Sequence, residues 1–145
     1  MLLTGLAVVA VVLIGLFAVR GWQSQTPPAL GPVDGHLRAC PDKPNCVNSE
    51  APASDGGHAI APLTESDWQA VRRAVESAGG TVMQADDDYL HATFASRLFR
   101  FVDDVELRRD AASGFVHIRS ASRVGHSDFG VNRKRVEAIR ERLKP

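Results

Sequence analysis

Between Leu2 and Val19 the chain runs for eighteen residues without a charge. As a helix rising ~1.5 Å per residue this run reaches about 27 Å, close to the ~30 Å of a bilayer's hydrocarbon core. Nothing basic precedes it, and Phe17-Ala18-Val19-Arg20 is a poor small-x-small cleavage site. The pattern therefore predicts a retained single-pass anchor over 1–22, in contact with the membrane through residues 2–19. A cleaved signal peptide, giving a soluble exported protein, is the alternative. Trp22 suits the headgroup layer, where indole rings collect. The positive-inside rule sees only the N-terminal amine on one side and Arg20 and Arg38 on the other; taken alone it favours a cytoplasmic domain. Against it stands Cys40-Pro-Asp-Lys-Pro-Asn-Cys46, a short proline-bent segment whose ends can approach to disulfide distance. Such a bond is useful only in an oxidising compartment, so the expectation is a periplasmic or other non-cytoplasmic face. Leu37-Arg38-Ala39-Cys40 is a poor acylation box, with Arg inside it and no adjacent apolar region.

Beyond this leader the chain has material for one domain. Of 145 residues, seventeen are basic and seventeen acidic. No overall field favours nucleic acid, and the basic run Arg133-Lys134-Arg135 is followed on the same predicted helix by Glu137 and Glu141, a pattern of solvated faces. No nucleic-acid partner is expected. Two cysteines are too few for a closed zinc site, and the five histidines form no H-x-H or H-x-x-x-H pair, so neither metal nor other cofactor is expected.

Residues 23–36 read as a linker, since Pro27, Pro28 and Pro32 disfavour helix interiors and central strands. The domain then covers 37–145 and includes the cysteine loop. His58 to Leu63 is a candidate short strand. Thr64-Glu65-Ser66-Asp67 resembles a helix N-cap with an acidic first turn, feeding a helix with Trp68, Val71, Val75 and Ala78 on one face and ended by Gly79-Gly80. Thr81 to Ala85 is a strand. In Tyr89 to Ala95, Leu90, Ala92 and Phe94 share one face and Tyr89, His91 and Thr93 the other. Phe99, Phe101, Val105 and Leu107 alternate with Arg100, Asp104, Glu106 and Arg108, and Phe115 to Ser122 is the partner strand across a turn at Asp110 to Gly114. A final helix from about Gly130 to Leu143 turns Val136, Ile139 and Leu143 inward and Arg133, Lys134, Arg140, Glu141 and Arg142 outward. The predicted class is α+β: a two-layer sandwich, with an antiparallel four- to five-stranded sheet, two helices on one face, and a transmembrane helix ahead of it.

The densest polar constellation lies in Asp103, Asp104, Glu106, Ser120, Ser122 and Asp128, with Arg119, Arg123, Asn132, Arg133 and Arg135 among them. Pairing Val105 with Ile118 sets Asp104 opposite Arg119. Alternation puts Asp103 on the apolar face, where a carboxylate needs hydrogen bonds or a cation; Arg123, Asn132 and Arg133 are the expected suppliers. The plainer reading is a polar network that staples the last strand to the last helix. The functional reading is an anion site, with Arg119, Arg123, Asn132 and Arg133 as ligand-binding residues near a helix N-terminus. No phosphate-binding glycine motif supports it. His117 on a strand faces away from Ser120 and Ser122, so no Ser-His-Asp arrangement forms, and no catalytic residue is assigned.

Cys40-Pro41 with Pro44-Asn45-Cys46-Val47, the block Phe101 to Glu106, and Arg119-Ser120-Ala121-Ser122-Arg123-Val124-Gly125 through Asp128 to Arg135 together resemble the domain of unknown function 1499 family. The resemblance covers about Leu37 to Leu143. It implies one unit that includes the cysteine loop, often beside a membrane segment or export signal, and carries over no activity, cofactor or catalytic residue. The expectation is a membrane-anchored envelope protein, a non-enzymatic module that binds a small anionic ligand or assembles with an envelope protein partner. An enzyme acting on a small anion held by the same arginines is the alternative.

Overall fold

The computed structural model describes residues 2–64 and 67–144. In chain order its elements are α1 (Leu2–Gln23), β1 (Cys46–Asn48), α2 (Trp68–Ser77), β2 (Thr81–Ala85), β3 (Tyr89–Ala95), β4 (Val102–Arg109), β5 (Val116–Ser122) and α3 (Val131–Glu141). All strands pair antiparallel in the order β1-β5-β4-β3-β2. This is the expected α+β class behind an apolar helix.

Period-two alternation gives the sheet an apolar face that α2 and α3 cover. Leu90, Ala92, Phe94, Val105, Leu107, Val116 and Ile118 meet Val71, Ala74 and Val75 of α2 and Val136 and Ile139 of α3. Each fully buried aliphatic side chain there contributes about 1.5–3 kcal/mol. Asp67 caps α2, its carboxylate accepting from the Gln69 amide, while Glu65 and Ser66 of the predicted cap lie outside the described residues, as do Met1 and Pro145. The α2 helix stops where Gly79 takes φ of 99°, a backbone that side-chain-bearing residues resist.

Three local expectations are corrected. His58 to Leu63 forms no strand: only Ala59 bridges to Asn48 and Leu63 to Val116. The fifth strand is β1, from the cysteine loop, which pairs its backbone with the edge of β5 and so satisfies groups that would face water. Phe99 and Phe101 precede β4, in the β3–β4 turn; Arg100 at φ of 56° interrupts the alternation between them. Third, the β4–β5 register differs by two residues. Leu107 rather than Val105 faces Ile118, and Glu106 rather than Asp104 faces Arg119. The turn is longer than the tightest hairpin because Asp110 organises it, accepting from the Ala112 amide and the Ser113 hydroxyl, with Gly114 at φ of 74°. A shift of two keeps every side chain on its predicted face.

Residues 24–45 lie across the opposite face of the sheet and are tied to it. The Val102 amide donates to Ser24 Oγ at 3.0 Å, the Gly31 amide to Glu106 Oε1 at 2.7 Å, and Asn48 Nδ2 to the Arg38 carbonyl at 3.1 Å. Leu37 is buried and its amide donates to Glu50. The segment read as a linker, 23–36, thus lies largely within a strap that ends in the Cys40–Cys46 disulfide.

The strap begins where α1 ends. Phe17 stacks on Phe99 with ring centroids 5.2 Å apart and meets Phe101 edge-on at 6.3 Å. A Cβ on Gly21 would sit 1.9 Å from the Phe99 carbonyl oxygen, so only glycine permits this approach. Gly5 to Arg20 are otherwise exposed, and Gly5–Gln23 is long and apolar enough to cross a membrane.

Candidate functional site

Because strand neighbours alternate, the strap-covered face collects the polar members of three strands: Tyr89 and His91 from β3, Asp104 and Glu106 from β4, Arg119 from β5, and Arg123 just beyond it. Glu106 is 0% exposed. Its carboxylate accepts from Arg119 Nη1 at 2.9 Å, Tyr89 Oη at 2.8 Å and the Gly31 amide. Three donors around one carboxylate make its burial tolerable. Burial, then the neighbouring Glu106 charge, push the Tyr89 phenol well above its usual range, so it remains a hydrogen-bond donor.

Asp104 is the second centre. Arg123 grips it with two parallel bonds, Nε to Oδ2 at 2.8 Å and Nη2 to Oδ1 at 2.7 Å, and His91 Nε2 lies 2.8 Å from Oδ1. Burial alone would raise this carboxyl; the bonds from Arg123 and His91 outweigh it and hold the pKa below the ordinary value. The remaining Arg123 nitrogen, Nη1, donates to the carbonyls of Ser24 and Gln25, each at 3.1 Å. One arginine therefore joins the sheet to the strap at the point where the chain leaves α1. A third pair, Arg108 Nη2 to Glu50 Oε1 at 2.6 Å, stands further along the same face.

A separate cluster lies on the helix side. Asn132 is fully buried in the first turn of α3 and takes the Ser120 hydroxyl on Oδ1, while its Nδ2 donates to the Asn45 carbonyl, Ser122 Oγ and Asp128 Oδ2. Asp128 also accepts from the amides of Gly130 and Asn132. Burial raises its carboxyl and those backbone donors lower it further, leaving its pKa below normal. The place an anion would take at this helix N-terminus is held by the protein's own carboxylate. Asp103, on the apolar face as alternation requires, is met by Arg135 Nη2 at 2.6 Å, not by Arg123, Asn132 or Arg133. The Arg135 guanidinium also lies over the Phe94 ring, 4.7 Å from its centroid. Arg133 donates to the carbonyls of Ala59 and Gly57, and Arg140 to those of Pro62 and Ala61. These two, expected to point into solvent, satisfy the backbone of the strandless 57–62 segment.

The predicted site residues thus fall into two groups on opposite faces of the sheet, and Arg119, Arg123, Asn132 and Arg133 do not converge on one space. Sequence reasoning missed Tyr89, His91, Glu50 and Ser24 as members. The first two had a signal, since they share a face of β3, but only the register reveals what they meet. His117 contacts Ser49 and Asp110 and reaches neither Ser120 nor Ser122 by any hydrogen bond. Among the described residues there is no free cysteine and no cluster suited to a metal ion.

A groove of about 390 Å³ lies near these groups, between α1 and the loop ahead of α3. Phe17, Phe101, Val124, Phe129 and Val131 make it mainly apolar, and its charged lining is Arg20, Asp103 and Asp128. None of Arg119, Arg123, Arg133 and Arg135 lines it.

Fold and site define a small α+β domain with a polar, strap-covered sheet face, carried behind one apolar helix. The chain belongs to the family described as Protein of unknown function (DUF1499), whose family model matches residues 36–143. No curated protein and no solved structure matches it.

Proposed function

We propose that the protein is a membrane-tethered, non-enzymatic module of the cell envelope, whose buried charges fix the posture of the domain on its anchor and leave its exposed surface for assembly with an envelope partner. The observation that carries this reading is Arg123. It holds Asp104 on one side and the first carbonyls of the strap, just past α1, on the other, so the exit from α1 and the sheet form one joint. Removing α1 by cleavage would strip Phe99 and Phe101 of Phe17, which favours a retained span over a signal peptide. The disulfide favours a non-cytoplasmic domain.

In this reading Arg119, Arg123, Asn132 and Arg133 serve the fold. An enzyme using them on a small anion finds no support in the geometry, because each of the four side chains is already bonded to an internal acceptor. The test is Arg119→Ala and Arg123→Ala in the full chain. The reading expects misfolding or strongly lowered stability. Two well-folded variants of ordinary stability that had lost binding of inorganic phosphate or another small anion would contradict it.

A further inference from the structure

We propose that the end of the domain beside α1 is a membrane-seated foot: the β3–β4 turn and the loop ahead of α3 enter the interfacial layer of the adjacent leaflet, with Leu98 and Phe129 as its apolar anchors. This rests on the reading of α1 as a retained span and specifies how the domain sits upon it.

Phe17 is the α1 residue whose ring packs on the domain. The part of α1 ahead of that contact, residues 2–16, reaches only about 22 Å at ~1.5 Å per residue, against the ~30 Å of a hydrocarbon core. For α1 to span, Phe17 must itself stand in the apolar layer. Phe99 and Phe101, packed on it, are drawn to the same depth.

The surface around that contact matches such a position. Leu98, the neighbour of Phe99 in the turn, is 80% exposed, Phe129 is 89% exposed and Trp22 is 75% exposed. Phe129 also holds φ of 54°, a left-handed backbone uncommon for a bulky residue, and presents its ring outward there. Phe129 and Phe17 line the same mainly apolar groove, so apolar surface of α1 and apolar surface of the domain adjoin there. Arg20, Arg97 and Arg100 are exposed in the same region with no side-chain partner among the described residues. Cations beside apolar anchors are the combination that anionic lipid headgroups attract. The nearby acids are already engaged: Asp103 by Arg135, and Asp128 by Asn132 and the α3 amides. The β4–β5 turn, at the far end of β4, has no part in this surface.

The experiment uses the full chain reconstituted in vesicles of phosphatidylcholine and phosphatidylglycerol, with one spin label at a time on L98C, F129C or, as the distant reference, A112C. Both native cysteines are in the disulfide and leave the added thiol as the label's target. Labels at 98 and 129 are expected to collide several-fold more with lipid-dissolved oxygen, relative to an aqueous nickel chelate, than the label at 112. Two positions on separate loops give independent readings if one variant misfolds. Chain that resists alkaline extraction while all labels report the aqueous pattern would overturn the foot and leave the span standing. Chain that alkali strips from the vesicles would overturn both.

Discussion

The two faces of the sheet are built from the same strands by opposite chemistry. On one, Leu90, Val105, Leu107 and Ile118 meet regular helices whose backbone is already satisfied, so apolar contact suffices to hold the layers together. On the other, the covering is an irregular strap whose amides and carbonyls need partners, and Glu106, Arg123, Asn48 and Glu50 supply them. A sheet face covered by irregular chain has to carry charge and hydrogen-bonding groups where a helix would ask for Leu or Val.

The sharpest way to break that comparison is to delete one member from each face. Glu106→Ala leaves the Arg119 guanidinium, the Tyr89 hydroxyl and the Gly31 amide unpaired, and uncompensated buried charge costs roughly 3–5 kcal/mol. Leu107→Ala on the helix side costs about 2–5 kcal/mol through lost burial and the cavity left behind. Urea denaturation is expected to show Glu106→Ala at least as damaging as Leu107→Ala; near-neutral behaviour of Glu106→Ala would show that the polar face is dispensable. Next in size is the strap's covalent end. Replacing Cys40 and Cys46 with Ser frees a short loop and should lower stability by about 2 kcal/mol on chain-entropy grounds, read from the same denaturation midpoint.

Acid separates the faces more gently. Asp104 and Glu50 have folded-state pKa values below their ordinary ones of 3.8 and 4.5, burial opposing and hydrogen bonds from Arg123, and from Arg108 and His36, prevailing. The unfolded chain therefore binds more protons as pH falls through and below that range. Stability that these groups contribute above it is lost progressively on acidification. Thermal melts should fall in that window, with loss of strap order ahead of loss of the helix-covered core; a melting temperature flat through the same window would remove the carboxylates from the account.

Much of this was legible in the sequence where one periodicity governed a segment. Tyr89 to Ala95, Val105 with Leu107, and Val136 with Ile139 all lie on the faces their spacing predicts, and the cysteine pair closes as its short proline-bent loop suggested. What was not legible depended on partners distant in sequence. Asp103 was seen to need hydrogen bonds or a cation, but its partner Arg135, rather than Arg123, Asn132 or Arg133, depends on where α3 lies over the sheet. The charged pair of β4 and β5 moved from Asp104 to Glu106 because Asp110 set the length of a turn. Pro27, Pro28 and Pro32 gave a composition common to linkers and straps alike; the Gly31 amide on Glu106 and the Arg123 guanidinium on Ser24 distinguish them, and neither contact leaves a local pattern.

Amide hydrogen exchange of the full chain tests the strap most directly, at Gly31, Leu37 and Val102. If the polar face seals residues 24–45 to the sheet, these amides exchange nearly as slowly as those in the middle of β4 and β5, opening only with the domain. Exchange at Gly31 and Leu37 as fast as in an unstructured peptide, with β4 and β5 still protected, would make the segment a free leash and contradict the account.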